Sequence, residues 1–201
     1  TTIEGLFAAK YKDECALGNL VTSLLLELDP KADIALSNGG GLRADLAPGP
    51  LTYGALYDVL PFDNRIARLT MTGKGLRETF LKNLHGKSGV LSVAGARVEE
   101  RCAGGKPTLE IVLTGRKKAE RKLGDGDRVI VITNEFLATQ GDDFGHAERI
   151  EIDEDGPPFR EPMAALLEKR GGVLRPEEWF LPGKPRIARR PADAADCPSA
   201  P

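Results

Sequence analysis

Ile34-Ala35-Leu36-Ser37-Asn38-Gly39-Gly40-Gly41-Leu42-Arg43 is the stretch around which the rest of the chain falls into order. The apolar run Ile34-Ala35-Leu36 predicts a short buried strand, and it leads directly into three consecutive glycines. Glycine lets backbone approach a ligand closely and admits φ > 0. Asn38 adds a hydrogen-bonding amide, and Arg43 a planar fork suited to phosphate or carboxylate. Alone, the segment reads equally as a tight turn with a surface arginine.

Upstream of it, Leu17, Leu20, Val21, Leu24, Leu25 and Leu28 recur at helical spacing, so one helical stripe faces a core, and Asp29-Pro30 stops the helix. Residues 1–10 read as a linker or the end of an interdomain helix. Downstream, Thr52 is placed to cap a short helix that Pro61 ends. Ala67, Leu69 and Met71 alternate as on a strand. Thr72 is placed to cap a second long helix with Leu76, Phe80, Leu81 and Leu84 on one face. Further strands are predicted over Val90–Val93, Leu109–Leu113 and Val129–Thr133, separated by polar turns at Ala103–Pro107 and Gly124–Asp127. Pro162 sits where a first-turn proline belongs, ahead of Met163, Leu166 and Leu167. Helices and strands mix without a steady βαβ rhythm. The expected fold is therefore α+β, a mixed sheet with packed helices. It forms one domain over 11–188, followed by a disordered Ala/Pro/Asp tail over 189–201.

At 201 residues and 41% hydrophobic, the chain can bury a core of its own. Its charges nearly cancel, to a net −2, so it lacks the basic stripe of a nucleic-acid binder. No apolar run approaches the roughly 18–20 residues of a membrane span. The three cysteines, Cys15, Cys102 and Cys197, form no CxxC pattern; one pair with one left over and three separate thiols both remain open. The two histidines, His85 and His146, are too few for a dinuclear phosphoesterase centre.

Two further segments could carry chemistry. In Leu60-Pro61-Phe62-Asp63-Asn64, a proline leaves an aromatic ring just outside a helix. Taken alone, Phe62 reads as a core residue, because phenylalanine is usually buried. In the stretch from Thr133 to Gly145, a strand ends at Asn134, Phe136 follows, and the loop Gln140-Gly141-Asp142-Asp143 carries adjacent acids. These acids have His146 as their one nearby histidine, and a carboxylate acceptor suits ribose hydroxyls better than a metal. Two solvated loop acids are the plain alternative.

In order and spacing, LGNL (from Leu17), NGGGLR (from Asn38), LPF.N (from Leu60) and NEFLATQGDDF (from Asn134) together resemble the C-terminal domain of the 5'-nucleotidase / UDP-sugar hydrolase / cyclic-nucleotide phosphodiesterase family. The resemblance runs from Leu17 to Phe144 and continues more weakly to Arg186. It implies that this domain binds the nucleoside, while a separate N-terminal metallophosphatase domain holds two divalent metals and a catalytic His–Asp pair. It further implies that Phe62 and Phe136 sandwich the base and that Asp142, six residues after Phe136, accepts hydrogen bonds from ribose. Asn38 would approach the base edge. Arg43 would approach the phosphate or ribose side, with Gly40 and Gly41 shaping the binding loop. By the same resemblance the protein is periplasmic or extracellular.

This sequence departs from the family pattern at two places. Where the family carries a phosphate-binding arginine, seven residues before the glycine of LGNL, it has Tyr11, flanked by Lys10 and Lys12, either of which is a candidate substitute as a point charge rather than a fork. Gln140 stands where a glycine is common, and it is expected to tighten the turn or narrow the pocket. No stretch resembles the family's metal-ligating DxH, GNHE or GHxH motifs. This chain is thus expected to bind substrate without a catalytic residue or cofactor of its own. A stand-alone nucleotide-binding module, or the same domain serving UDP-sugars, cyclic nucleotides or a sulfur compound, are the competing readings.

Overall fold

The computed structural model describes residues 1–87, 89–103, 105–115, 119–140 and 144–189. The expected disordered tail, apart from Arg189, lies outside the described residues, as does Cys197. The elements up to the middle of the chain are β1 (Thr2–Ile3), α1 (Ala16–Leu28), β2 (Ile34–Asn38), β3 (Gly49–Pro50), α2 (Tyr53–Val59), β4 (Ile66–Thr72), α3 (Gly73–His85) and β5 (Leu91–Ala94). After them come β6 (Ala96–Ala103), β7 (Lys106–Leu113), β8 (Arg121–Lys122), β9 (Arg128–Asn134), α4 (Glu135–Gln140) and β10 (Ala147–Ile152). The last are α5 (Arg160–Arg170), β11 (Val173–Leu174), α6 (Pro176–Trp179) and β12 (Ile187–Ala188).

The fold is α+β. A central five-stranded sheet runs β10-β4-β9-β2-β5, accompanied by a four-stranded sheet β12-β6-β7-β8 and a small three-stranded sheet β11-β1-β3. Side chains of β2 and β9 alternate between two hydrophobic cores. Ala35 and Ile132 join the one built on α1, and Ile34, Leu36, Val129 and Val131 join the one holding Phe80 of α3 and the β6–β7 hairpin. Burial on both faces explains why these strands read as continuous apolar runs. In β4 the alternation is clean: Ala67, Leu69 and Met71 are fully buried and their neighbours only partly so.

Local chemistry sets the helix starts. The hydroxyl oxygens of Thr52 and Thr72 accept from the amides of Ala55 and Gly75, both at 3.1 Å, and each such cap contributes about 1 kcal/mol. In the LGNL segment Gly18 packs so tightly on β5 that an added Cβ would lie 2.0 Å from the Ser92 hydroxyl. Asn19 is buried and donates to Glu14 at 2.6 Å and to the Trp179 carbonyl at 3.0 Å. This motif serves packing.

The structure departs from expectation in three places. Residues 1–10 are not a free linker: β1 pairs with β3 and β11, Phe7 bridges Leu46, and Ile3 and Phe7 are buried in the α1-side core. Three apolar side chains within seven residues, Ile3, Leu6 and Phe7, are too few to show a period, so the sequence hid this. Strand β6 also escaped notice because its outward face is charged, with Arg97, Glu99 and Arg101 alternating with buried Ala96 and Val98. Finally, β10 is an edge strand paired only to β4 and carries a register shift between Ala147 and Arg149; its charged side chains suit a solvent-facing edge.

Candidate functional site

In the central sheet β2 and β9 are parallel neighbours, whereas every other pairing is antiparallel. Beyond their carboxyl ends the chain departs in two different ways, into a single 3₁₀ turn over Gly39–Gly41 after β2 and into α4 after β9. Such a divergence opens a crevice outside the sheet, the usual ligand position in sheets with parallel strands. A cleft of about 470 Å³ lies there, lined at its base by Ser37, Asn83, Leu91 and Asn134. That volume falls within the ~300–1,000 Å³ typical of small-molecule sites.

Of the candidate residues, Asn38, Gly40, Gly41, Arg43, Phe62 and Phe136 all line this one cleft, although they come from three separate stretches of chain. Asp142 and its neighbour Asp143 lie outside the described residues. Phe62 and Phe136 are 45% and 43% exposed, so neither is a core residue, contrary to what phenylalanine by itself suggests for Phe62. The Phe136 ring is left outside by helix geometry. Asn134 accepts from the Leu137 amide at 2.9 Å to start α4, and Leu137 and Ala138 take the inward face.

Phe62 is held by a residue that sequence reasoning missed. Arg160, 5% exposed at the start of α5, donates through Nη1 to the carbonyls of Leu60 (3.2 Å) and Phe62 (3.0 Å) and through Nη2 to Asp63 (2.5 Å). Its Nε donates to the Tyr53 hydroxyl at 3.1 Å, and its guanidinium lies 4.6 Å over the Tyr57 ring. Burial by itself would lower the Arg160 pKa, but the bonds to Tyr53 and Asp63 and their charge raise it above its ordinary value. The cation thus fixes the backbone on which Phe62 stands. Nothing in the sequence sets Arg160 apart from the other arginines. Asn64, by contrast, was visible as the last residue of the Phe62 segment, and it too lines the cleft.

The glycines act differently from expectation. None of Gly39, Gly40 and Gly41 has positive φ. Gly39 is required instead because the backbone of Lys10 and Tyr11 crosses it, with carbonyl oxygens 2.8–2.9 Å from where a Cβ would sit. At Gly41 an added Cβ would lie 3.0 Å from Oδ1 of Asn38, a tight approach that this side chain would have to yield to.

Asn83 and Asn134 are committed to the backbone at Gly89, Leu91 and Leu137, whereas among the described residues Arg43 and Asn38 are not so engaged. Arg43 is exposed, and its guanidinium makes one long bond, 3.3 Å, to the Gly40 carbonyl; it forms no ion pair among the described residues. Asn38 does not cap the 3₁₀ turn with its side chain. Gln140 reaches the cleft lining, where a glycine would have left it wider. No group of three or more His, Cys, Asp or Glu able to hold a metal is found among the described residues. His85 and His146 pair with Glu100 at 2.9 Å and Glu78 at 3.3 Å.

With this geometry in place, comparison with known proteins is decisive. The family model for the 5'-nucleotidase C-terminal domain matches residues 1–149. The chain belongs to that family. Its relatives include Endonuclease YhcR of Bacillus subtilis, 47% identical over 62 residues, covering 31% of this chain and 5% of that protein. The Trifunctional nucleotide phosphoesterase protein YfkN of the same organism is 28% identical over 187 residues, covering 85% of this chain and 13% of the relative. Among solved structures, a 5'-nucleotidase precursor from Thermus thermophilus superposes with a TM-score of 0.75 at 27% identity, over 94% of this chain and 39% of that one. The 5'-nucleotidase C-terminal domain seen here therefore spans well under half the length of these relatives.

Proposed function

We propose that this 5'-nucleotidase C-terminal domain is the nucleoside-recognition part of a metal-dependent nucleotide phosphoesterase. The observation that carries the reading is the convergence of two exposed phenyl rings, Phe62 and Phe136, on one cleft that also holds Asn38 and Arg43, the latter without an ion pair among the described residues. Exposed rings with little to cover them suit a flat heterocycle, and stacking contributes about 1–3 kcal/mol per base. The amides of Asn38 and Asn64 supply donors and acceptors for a base edge. Arg43 supplies charge for the phosphate or ribose side. Asp142, on the loop that follows Gln140, accepts from the ribose hydroxyls in this reading.

Among the described residues the cleft offers rings, amides and the Arg43 cation, a set that does not fit a hard dication. The hydrolytic chemistry is assigned to a separate N-terminal metallophosphatase domain bearing two divalent ions, and this chain by itself binds without turnover. An exported, periplasmic or extracellular protein suits the disulfide-bonded Cys102, since such bonds persist in oxidising compartments. No helix among the described residues is long and apolar enough to cross a membrane.

Titration calorimetry of the chain with adenosine, in the presence of a chelator, tests the proposal. Binding is expected, and Phe62→Ala or Phe136→Ala should each weaken it by about 1–3 kcal/mol, roughly 5- to 150-fold. Equal affinity of wild type and both variants contradicts the stacking role.

A further inference from the structure

Three segments far apart in the chain meet at one wall of the cleft: residues 10 and 11, the glycine turn after β2, and residues 89–91 leading into β5. Residues 89–91 form a strap that ties the other two. The Val90 amide donates to the Tyr11 carbonyl at 2.8 Å, and the Val90 carbonyl accepts from the Gly39 amide at 2.9 Å. Leu91 then pairs opposite Asn38 in the β2–β5 ladder. An added Cβ on Gly89 would lie 2.8 Å from Cε2 of Tyr11, a close approach that glycine permits. Tyr11, Asn38, Gly40, Gly89 and Leu91 all line the cleft. One side chain grips the strap at the two residues that flank Val90. Asn83, on α3 and 3% exposed, donates through Nδ2 to the Gly89 carbonyl and accepts at Oδ1 from the Leu91 amide, both at 3.0 Å. Among side chains of this length only the amide carries a fixed donor beside a fixed acceptor. An apolar or acidic replacement would leave a buried backbone group unmatched.

Resting on the nucleoside reading above, we infer that Asn83 is a positioning residue for the cleft, acting through the 89–91 strap on the glycine turn and the Tyr11 ring. Its amide is committed to the strap, so its contribution to binding is the placement of Asn38, Gly40 and Tyr11. A site is only as precise as the shell of bonds that holds its lining residues. Opening of the strap and binding of the nucleoside then exclude one another.

Amide hydrogen exchange and calorimetry with adenosine test this. Where an opening abolishes binding, free ligand slows exchange by the factor 1 + [L]/Kd. At adenosine about ten times Kd, the Gly39, Val90 and Leu91 amides of the wild-type chain should exchange about tenfold more slowly, while those of edge strand β10 stay unchanged. Asn83→Ala should bind adenosine about five- to tenfold more weakly and exchange the same three amides about tenfold faster without ligand. Leu76→Ala, a truncation in the same helix within the β6–β7-side core, should destabilise the chain at least as much. Its adenosine affinity should nonetheless stay within about twofold of wild type. Three results overturn the positioning role and leave the nucleoside reading standing: Asn83→Ala affinity within about twofold of wild type, an equal loss in Leu76→Ala, or no added protection of the Gly39 and Val90 amides. If Asn83→Ala does not fold, the wild-type exchange result decides alone. A wild-type chain that binds no adenosine overturns both.

Discussion

Arginines on the β6–β7 hairpin and the arginine of the cleft are in opposite conditions. On the hairpin and its flanks Arg97 bonds both oxygens of Glu120 at 2.6 Å, Arg101 meets Glu99 and Glu110, and Lys122 meets Glu110. Glu120 and Glu110 are held below the usual carboxylate range chiefly by hydrogen bonds from Arg97 and Lys122 respectively. At the cleft Arg43 has, among the described residues, a single long side-chain bond to a carbonyl. The phenylalanines divide the same way: Phe80 is fully buried in the β6–β7-side core, while Phe62 and Phe136 stand exposed. Groups that are satisfied within the chain report on folding; groups left without partners in a shaped cavity report on a ligand.

The largest expected contrast lies in that pair of ring environments. Phe80→Ala should cost about 3–5 kcal/mol of stability, the usual range for truncating a buried aromatic, measured by urea unfolding. Phe62→Ala and Phe136→Ala should stay within about 0.5 kcal/mol of wild type in the same assay, as surface substitutions do. Comparable losses at all three positions would erase the distinction.

Arg160 joins the two classes, because a buried, satisfied cation holds an exposed ring. Arg160→Met should lower stability by about 1–3 kcal/mol through the carbonyls it leaves unpaired, and should also weaken adenosine binding. A double-mutant cycle sharpens this. In a Phe62→Ala background the further loss of affinity on replacing Arg160 should vanish, while the loss of stability should persist. Independent, additive losses of affinity would mean that Arg160 does not act through Phe62.

A comparable effect is expected at Asp29, 4% exposed and paired with Arg68. Burial pushes its carboxyl up, but hydrogen bonds from Arg68 and the Lys31 amide outweigh this and hold it below 3.8. A folded-state pKa below the unfolded value means the stabilisation is present above about pH 4 and is lost as pH falls through the folded pKa. Asp29→Asn should therefore be less stable than wild type at pH 7 by about 1–3 kcal/mol, with the gap closing below about pH 4 in acid-unfolding curves. A gap independent of pH would point to packing instead.

The smallest effect belongs to the hairpin surface. Arg97 and Glu120 are about half exposed, and solvent largely screens such a pair. Arg97→Ala should leave the thermal unfolding midpoint close to wild type and adenosine affinity untouched.

Sequence carried much of this architecture because its signals were local. The regularly spaced leucines of α1, the Thr52 and Thr72 caps and the alternation of β4 each announce themselves within about ten residues, and each is present as expected. The site residues were legible as motifs, but their meeting was not, since Phe62 and Phe136 converge only through the β4–β9 pairing, which places Ile66 opposite Asn134. Arg160 was invisible for the same reason: its partners lie about a hundred residues away in sequence. Strand β1 was hidden by brevity, and the glycine turn was misread in detail because the crossing backbone of Lys10 and Tyr11 is a tertiary contact.

The convergence of the two rings is tested most directly by NMR titration of the chain with adenosine, following the ring protons of Phe62 and Phe136. A base held between them should shift both sets upfield along one binding isotherm, leaving Phe80 unmoved. Saturable binding that shifts neither ring, or only one, would contradict a shared stacking site.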